Sequence, residues 1–323
     1  MITASDFDFH PRDPADLSWT ETQFVIFSVP EANISGNLYV VARPNLGICH
    51  SSIEIHRGLC FNPWEIHHND TQMHLRCPET FSDFTLDNGL SFKALNVRDS
   101  DYKYTSLDGN CALELSFRGV CDPFDPHDPR DFPQVESTTM DGYQGWNNGH
   151  MESTGRITGW LRLRGKDYAV DCIDGMDKSW GPRNDWGAKG ASWIHVELGE
   201  GLGAFLVMGL EIINKEVRYG PFKYGFLVEN GQRRPLVSAT LTARRHAMLV
   251  TSADATFEDD RGQRYAARGV TVAAAPWYNF NPSCAAYQTL MRWESGDRVG
   301  YSHIADFAGL GYLSAAMADT LSD

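Results

Sequence analysis

Ala112-Leu113-Glu114-Leu115-Ser116-Phe117-Arg118 sets an apolar side chain at every second position, Leu113, Leu115 and Phe117, with polar or small residues between them. Period two is the spacing of a β-strand that turns one face to a core, because successive side chains leave opposite sides of the pleat. Outward from this run, short β-like segments recur between tight glycine turns. Residues 84–86 and 90–92 flank Asp87-Asn88-Gly89, and residues 224–228 lead into Glu229-Asn230-Gly231. Both carry the Asn-Gly pair that favours a type I′ hairpin. Further turns are predicted at Arg164-Gly165-Lys166, Gly199-Glu200-Gly201 and Asp260-Arg261-Gly262. Helical periodicity is scarce, and residues 313–321 offer the best short helix. The reading is an all-β chain closed by a short C-terminal helix.

The chain has 323 residues, a length that favours about two domains. Between residues 121 and 148 the strand pattern breaks into a segment rich in proline and acid, which cannot sustain a ladder. The domain junction is expected there, with residues 1–121 as an N-terminal domain, 122–148 as linker or lid, and 149–323 as a C-terminal domain. A long ordered loop within one domain is the alternative.

A formal net charge of −14 opposes phosphate backbones and anionic lipid surfaces, so nucleic acid and membrane surfaces are not expected partners. No apolar run reaches the length of a membrane span, and the acidic N-terminal stretch lacks the basic region of an export signal. A soluble, cytoplasmic protein is expected. The seven cysteines form no Cys-x-x-Cys pair and read as reduced, mostly buried thiols. His50, His56, His67, His68 and His74 are dense but lack His-Glu-x-x-His or similar spacing, so no metal is expected. Gly199-Glu200-Gly201-Leu202-Gly203 lies between strands and reads as a turn, not a dinucleotide loop. No Gly-x-Ser-x-Gly elbow is present.

Chemistry concentrates after Gly149. A strand through residues 193–198 places Trp193, His195 and Glu197 on one face and Ile194, Val196 and Leu198 on the other. If the polar face lines a cavity, it offers an imidazole and a carboxylate to a ligand. Just before it, Asp174-Gly175-Met176-Asp177-Lys178-Ser179-Trp180-Gly181-Pro182-Arg183 crowds two acids, two cations and a tryptophan at what reads as a strand-to-turn break. Burial of part of such a cluster shifts pKa values by desolvation and charge pairing, as a general acid working near neutrality requires. The competing reading is an ion-pair network that only ties a loop to a wall.

Three motifs in residues 150–197 carry a resemblance. They are His150-x-Glu152-x-x-Gly155-Arg156-x-x-Gly159, then a run around Asp177-x-Ser179-Trp180-Gly181-x-Arg183, then Trp193-x-x-x-Glu197. This region resembles the AttH-like and carotenoid 1,2-hydratase group, and the likeness is diffuse elsewhere. The resemblance implies two lipocalin-like β-barrel domains. It also implies a lyase or isomerase that adds or removes water, isomerises or cyclises, on a terpenoid, steroid or polycyclic molecule, without a cofactor. Where related sequences usually read Asp-His-Ser-Trp-Gly, this chain has Lys178, so a histidine role there is absent. The expected roles are Asp177 or Asp174 as proton donor and His195 as the second proton carrier. Trp180 and Trp193 would face developing positive charge, Arg183 would anchor the loop or Asp177, Glu197 would line the site, and Tyr143, Trp146 and His150 would close the cavity. The alternative is a non-catalytic carrier of a hydrophobic ligand.

Overall fold

The hairpins form where the sequence places them. Asn230 and Gly231 both take positive φ, 51° and 77°, as do Arg164 and Gly165 at 50° and 77°, which is what two-residue type I′ turns demand. The computed structural model describes residues 1–133, 148–183, 189–199, 201–278 and 281–318. Among them, two compact units can be separated: residues 1–56, 66–125 and 145–183, and residues 57–65, 126–144 and 184–323.

The first unit is a curled ten-stranded antiparallel sheet. Its strands are β1 (Trp19–Val29), β2 (Ile34–Arg43), β3 (Ile48–Arg57), β4 (His68–Arg76), β5 (Asp83–Thr85), β6 (Ser91–Ala94), β7 (Asp99–Thr105), β8 (Cys111–Gly119), β9 (Gly149–Leu163) and β10 (Lys166–Pro182), ordered β4-β3-β2-β1-β10-β9-β8-β7-β6-β5. Its interior face is apolar, with Val25, Phe27, Leu38, Val40, Ile53, Leu113, Leu115, Phe117, Met151 and Met176 in one cluster. Leu113, Leu115 and Phe117 share that face, as the period-two pattern requires.

Two expectations change here. Residues 149–182, expected in the second domain, are hydrogen-bonded into the first sheet: β9 pairs with β8 from Cys111↔Leu163 to Gly119↔Gly155, and β10 pairs with β1 from Trp19↔Pro182 to Val25↔Met176. The segment after residue 121 therefore joins neighbouring strands of one sheet, and the passage to the second unit comes after Arg183. Of that segment, Phe132 packs against Phe222 and Tyr224, and Asp131 pairs with Arg233 at 2.5 Å, all within the second unit. The strand-to-turn break expected around residues 174–183 is unbroken β10, where Asp177 pairs with Phe24 on one side and Glu152 on the other.

The second unit is a closed barrel of β11 (Gly190–Glu197), β12 (Leu202–Ile213), β13 (Glu216–Glu229), β14 (Gln232–His246), β15 (Leu249–Asp259), β16 (Arg264–Pro276), β17 (Cys284–Ser295) and β18 (Arg298–Gly309), sealed by the pairing of β11 with β18. Its core holds Ile194, Val196, Leu206, Leu241, Phe257, Met291, Trp293 and Ile304. The short helix α1 (Leu310–Ala318) follows directly. The chain is thus all-β with a closed barrel, a half-barrel and one short terminal helix. Among the described residues no helix is long and apolar enough to cross a membrane. Six of the seven cysteines are buried.

Candidate functional site

In the middle of the first sheet the strands are buried on both faces, so alternation there separates an apolar core from a polar buried layer, not core from solvent. On the interior side, with Val25 and Met176, lie Glu21 and Lys178. Their ion pair, Nζ to Oε2 at 2.9 Å, is wholly buried. The His10 ring approaches the same Glu21 oxygen at 3.0 Å, and the His10 amide and the Trp19 indole donate to the other at 2.8 and 3.2 Å. Burial alone would raise the Glu21 carboxyl, but the hydrogen bonds from His10 and the Lys178 charge outweigh it and hold it at about 2. Trp180 stacks on His10 with centroids 3.9 Å apart, and Lys178 sits 4.8 Å over the Phe81 ring. A Cβ at Gly149, directly across from Trp180, would fall 2.1 Å from the indole, so glycine there makes room for the ring.

The opposite face carries Asp177 and Ser179 on β10, His150 and Glu152 on β9, Thr22 and Phe24 on β1, and Tyr39 on β2. All are buried. Asp177 stands directly across from Glu152 in the β9–β10 register, and His150 across from Ser179. The His150 ring contacts Glu152 through Nε2 at 2.5 Å. Ser179 and Thr22 share a hydroxyl hydrogen bond at 2.7 Å, and Arg183 donates to the Ser179 hydroxyl at 2.5 Å and to the Tyr39 hydroxyl at 3.4 Å. Burial raises the Asp177 carboxyl well above its ordinary range, and the Glu152 carboxylate adds to that. His150 and Arg183 oppose it without cancelling it. The result is a carboxyl group whose burial favours the protonated form, beside a histidine–glutamate pair. This is the division of labour that acid–base chemistry uses, one group loaded with a proton and a neighbour able to take one.

The model of a family described as Domain of unknown function (DUF7064) matches residues 3–306. The chain belongs to that family. No curated protein matches it. Among solved structures, this DUF7064 chain is similar to kievitone hydratase from Nectria haematococca, with a TM-score of 0.55 and 9% identity over 90% of this chain and 89% of that one. It is also similar to a provisionally assigned AttH from Nitrosomonas europaea, with a TM-score of 0.50 and 14% identity over 90% and 92% of the two chains. At these identities the likeness is one of fold, and at that level the resemblance to the AttH-like group holds.

The expected site residues separate. Asp177, His150 and Arg183 come together on one face of the first sheet. Trp180 lies on the other face of the same strand, with Lys178, so it does not share Asp177's surroundings; Asp174 has that interior parity too, and its carboxylate accepts from the Gly175 amide at 2.9 Å. Trp193, His195 and Glu197 belong to the second unit. There Ile194 and Val196 fill the barrel, so the alternate face, expected to line the cavity, points outward. His195 and Glu197 are buried nonetheless and Trp193 is half-buried, with the His195 ring 4.8 Å from Phe205 and Glu197 Oε1 accepting from the Gly199 amide at 2.9 Å. Tyr143 and Trp146 lie outside the described residues. Among the described residues no group of three or more His, Cys, Asp or Glu side chains could hold a metal ion.

Sequence reasoning missed Glu152, Thr22, Phe24 and Tyr39 as neighbours of this cluster, and His10 as the partner of Glu21 and Trp180 on the opposite face. Glu152 was signalled by His150-x-Glu152, since two residues apart on a strand means the same face. The others come from the N-terminal segment, from β1, which pairs with β10, and from β2, which pairs with β1, and their contacts with β10 and Arg183 span more than 130 residues of sequence with no local signal.

Proposed function

We propose that this protein is a cofactor-independent hydratase or dehydratase acting on a hydrophobic terpenoid, steroid or polycyclic small molecule, with Asp177 as proton donor. The observation that carries the reading is a buried Asp177, its carboxyl raised by burial, directly across the strand pair from Glu152, itself held by His150. In the hydration direction Asp177 would protonate an alkene carbon, and the His150–Glu152 pair would take the proton from the attacking water. In reverse, Asp177 would protonate the leaving hydroxyl, and the pair would remove the proton from the neighbouring carbon. Phe24, across β10's other edge from Asp177, offers an aromatic face to developing positive charge. Arg183, through Ser179 and Tyr39, would hold the end of β10 in place. The same acid without a captured water would serve an isomerisation or cyclisation. A hydratase among the solved structures of this fold supports the reading.

The test is incubation with candidate terpenoid and steroid alkenes and alcohols in ¹⁸O water, followed by mass spectrometry. With the unaltered protein, label should enter the alcohol formed from an alkene, or an alcohol should lose the mass of water to give an alkene. Asp177→Asn should lower kcat by about 10²- to 10⁴-fold while the protein stays folded. Glu152→Gln should act in the same direction. His195→Ala near full rate would assign the second proton transfer to the His150–Glu152 pair, and a loss like that of Asp177→Asn would return it to His195. A fully active Asp177→Asn sinks the mechanism. Neither label uptake by an alkene nor loss of water from an alcohol, with ligand still bound, would favour the carrier.

A further inference from the structure

The wall of the second barrel opens between β13 and β14. The two strands pair only from Phe226↔Pro235 to Glu229↔Gln232. Pro235 has no N–H to donate, and the ladder ends there. Beyond it β13 stays with β12, and β14 with β15. A cavity of about 800 Å³ lies at the seam, within the range of small-molecule sites. Val217, Leu241, Ala243 and Met248 give it an apolar lining, and Lys215, Arg218, Arg244 and Arg245 a cationic one against a single acid, Glu216. Glu216 pairs with Arg218 at 2.7 Å, so Lys215 and Arg244 leave the rim positive in a chain of net charge −14.

Arg245 gives the cavity its chemistry. Its side chain is 7% exposed. One terminal nitrogen, Nη1, donates to Asp306 at 2.6 Å and to the Met248 carbonyl at 2.8 Å, and the guanidinium lies 4.7 Å over the Tyr219 ring. Nε and Nη2 are buried and have no hydrogen-bond partner among the described residues. Those two nitrogens form the side-on edge of the guanidinium, which grips a carboxylate with two parallel hydrogen bonds. Buried donors left without acceptors are costly, and an anionic ligand would remove that cost.

We propose that this cavity binds an amphipathic monoanion, a carboxylate on an apolar body. The carboxylate sits on the Nε and Nη2 edge of Arg245, and the body lies against Val217, Leu241, Ala243 and Met248. The site belongs wholly to the second unit and stands or falls independently of the chemistry assigned to Asp177.

Calorimetric titration of the full chain with dodecanoate and with dodecan-1-ol tests it. Dodecanoate should bind at least about tenfold more tightly than the alcohol. Arg245→Lys keeps a cation for Asp306 but loses the two-pronged edge. It should weaken dodecanoate by about tenfold or more and leave the alcohol unchanged. Ala243→Trp, which fills the cavity, should abolish binding of both. Equal affinity for acid and alcohol, no binding of dodecanoate by the unaltered chain, or undiminished binding in Ala243→Trp would each overturn the proposal. Should Arg245→Lys fail to fold, the acid-to-alcohol ratio and Ala243→Trp decide alone.

Discussion

Asp177 and Glu152 face each other across adjacent antiparallel strands, so two carboxyl groups share one buried polar face. Opposed positions on such a pair bring side chains close enough for each charge to act on the other. Two like charges at that range, out of water, cannot both be cheap. Burial and the Glu152 carboxylate raise the Asp177 carboxyl and favour its protonated form, while Glu152 has His150 as its partner.

A pH dependence of stability follows. For an acid whose folded pKa is raised, the folded form binds more protons than the unfolded form between the two values. The stabilisation is complete below the unfolded value of about 4 and is lost as pH rises through the folded one. Glu54, raised by burial to about 8, adds to the loss with the same sign. His50, lowered by burial to about 4, works in the opposite direction, but only below the pH where free histidine titrates. Between pH 7 and 9 the buried thiols add a loss of the same sign, since burial pushes Cys49 and Cys111 up to about 12, so the carboxyl effect is read from the difference between proteins. In urea unfolding the unaltered chain should lose stability over that interval, and Glu54→Gln should make the loss smaller. Parallel curves for the two proteins would remove Glu54 from the account.

On the other face of the same strands the ionic logic reverses. Glu21 is held at about 2, so its contribution to stability is present above about 4.3 and is lost only as pH falls toward the folded value. Removing one partner of a wholly buried pair strands the other charge. Lys178→Met should therefore cost about 3–5 kcal/mol in urea unfolding. Combining it with Glu21→Leu removes both charges, and the double variant should recover most of that loss. A double variant as unstable as the sum of the two single ones would mean that the pair is not coupled.

The strands and turns were legible in the sequence because each rests on a local signal: Asn230-Gly231 for one hairpin, the alternation of residues 112–118 for a strand, the scarcity of helical spacing before residue 310. Partner choice was not local. That β10 closes on β1, and not on the strand that follows it, depends on pairing residue 19 with residue 182, which no window can display. The density of charge around Asp177 read as a turn because charges usually mark exposure. Here the strand is buried on both faces, and Lys178 is neutralised across the sheet by Glu21. His195 misled for a related reason: polar residues on an alternating strand were taken to line a cavity, whereas the closed barrel buries Ile194 and Val196 inside and turns the polar set outward.

Inside the second barrel, Asp306 accepts hydrogen bonds from Ser192 at 2.5 Å, from Tyr219 at 3.3 Å and from Arg245 at 2.6 Å. Ser192 and Asp306 are opposed in the pairing of β11 with β18, so the network fastens the seam that closes the barrel. Replacing Asp306 by Asn leaves the volume nearly unchanged but removes the acid bonded to a guanidinium that is 7% exposed. The expected loss is about 3–5 kcal/mol, because an unneutralised buried cation is the dominant cost. Ser192→Ala removes one neutral donor and should cost about 1 kcal/mol. Arg245→Lys keeps the charge and should fall between the two. Denaturant unfolding gives the order, and hydrogen exchange on β11 and β18 amides tells whether the loss is local to the seam. If Asp306→Asn stays within about 1 kcal/mol of the unaltered chain, the carboxylate is not what neutralises Arg245, and the closure rests on the apolar core instead.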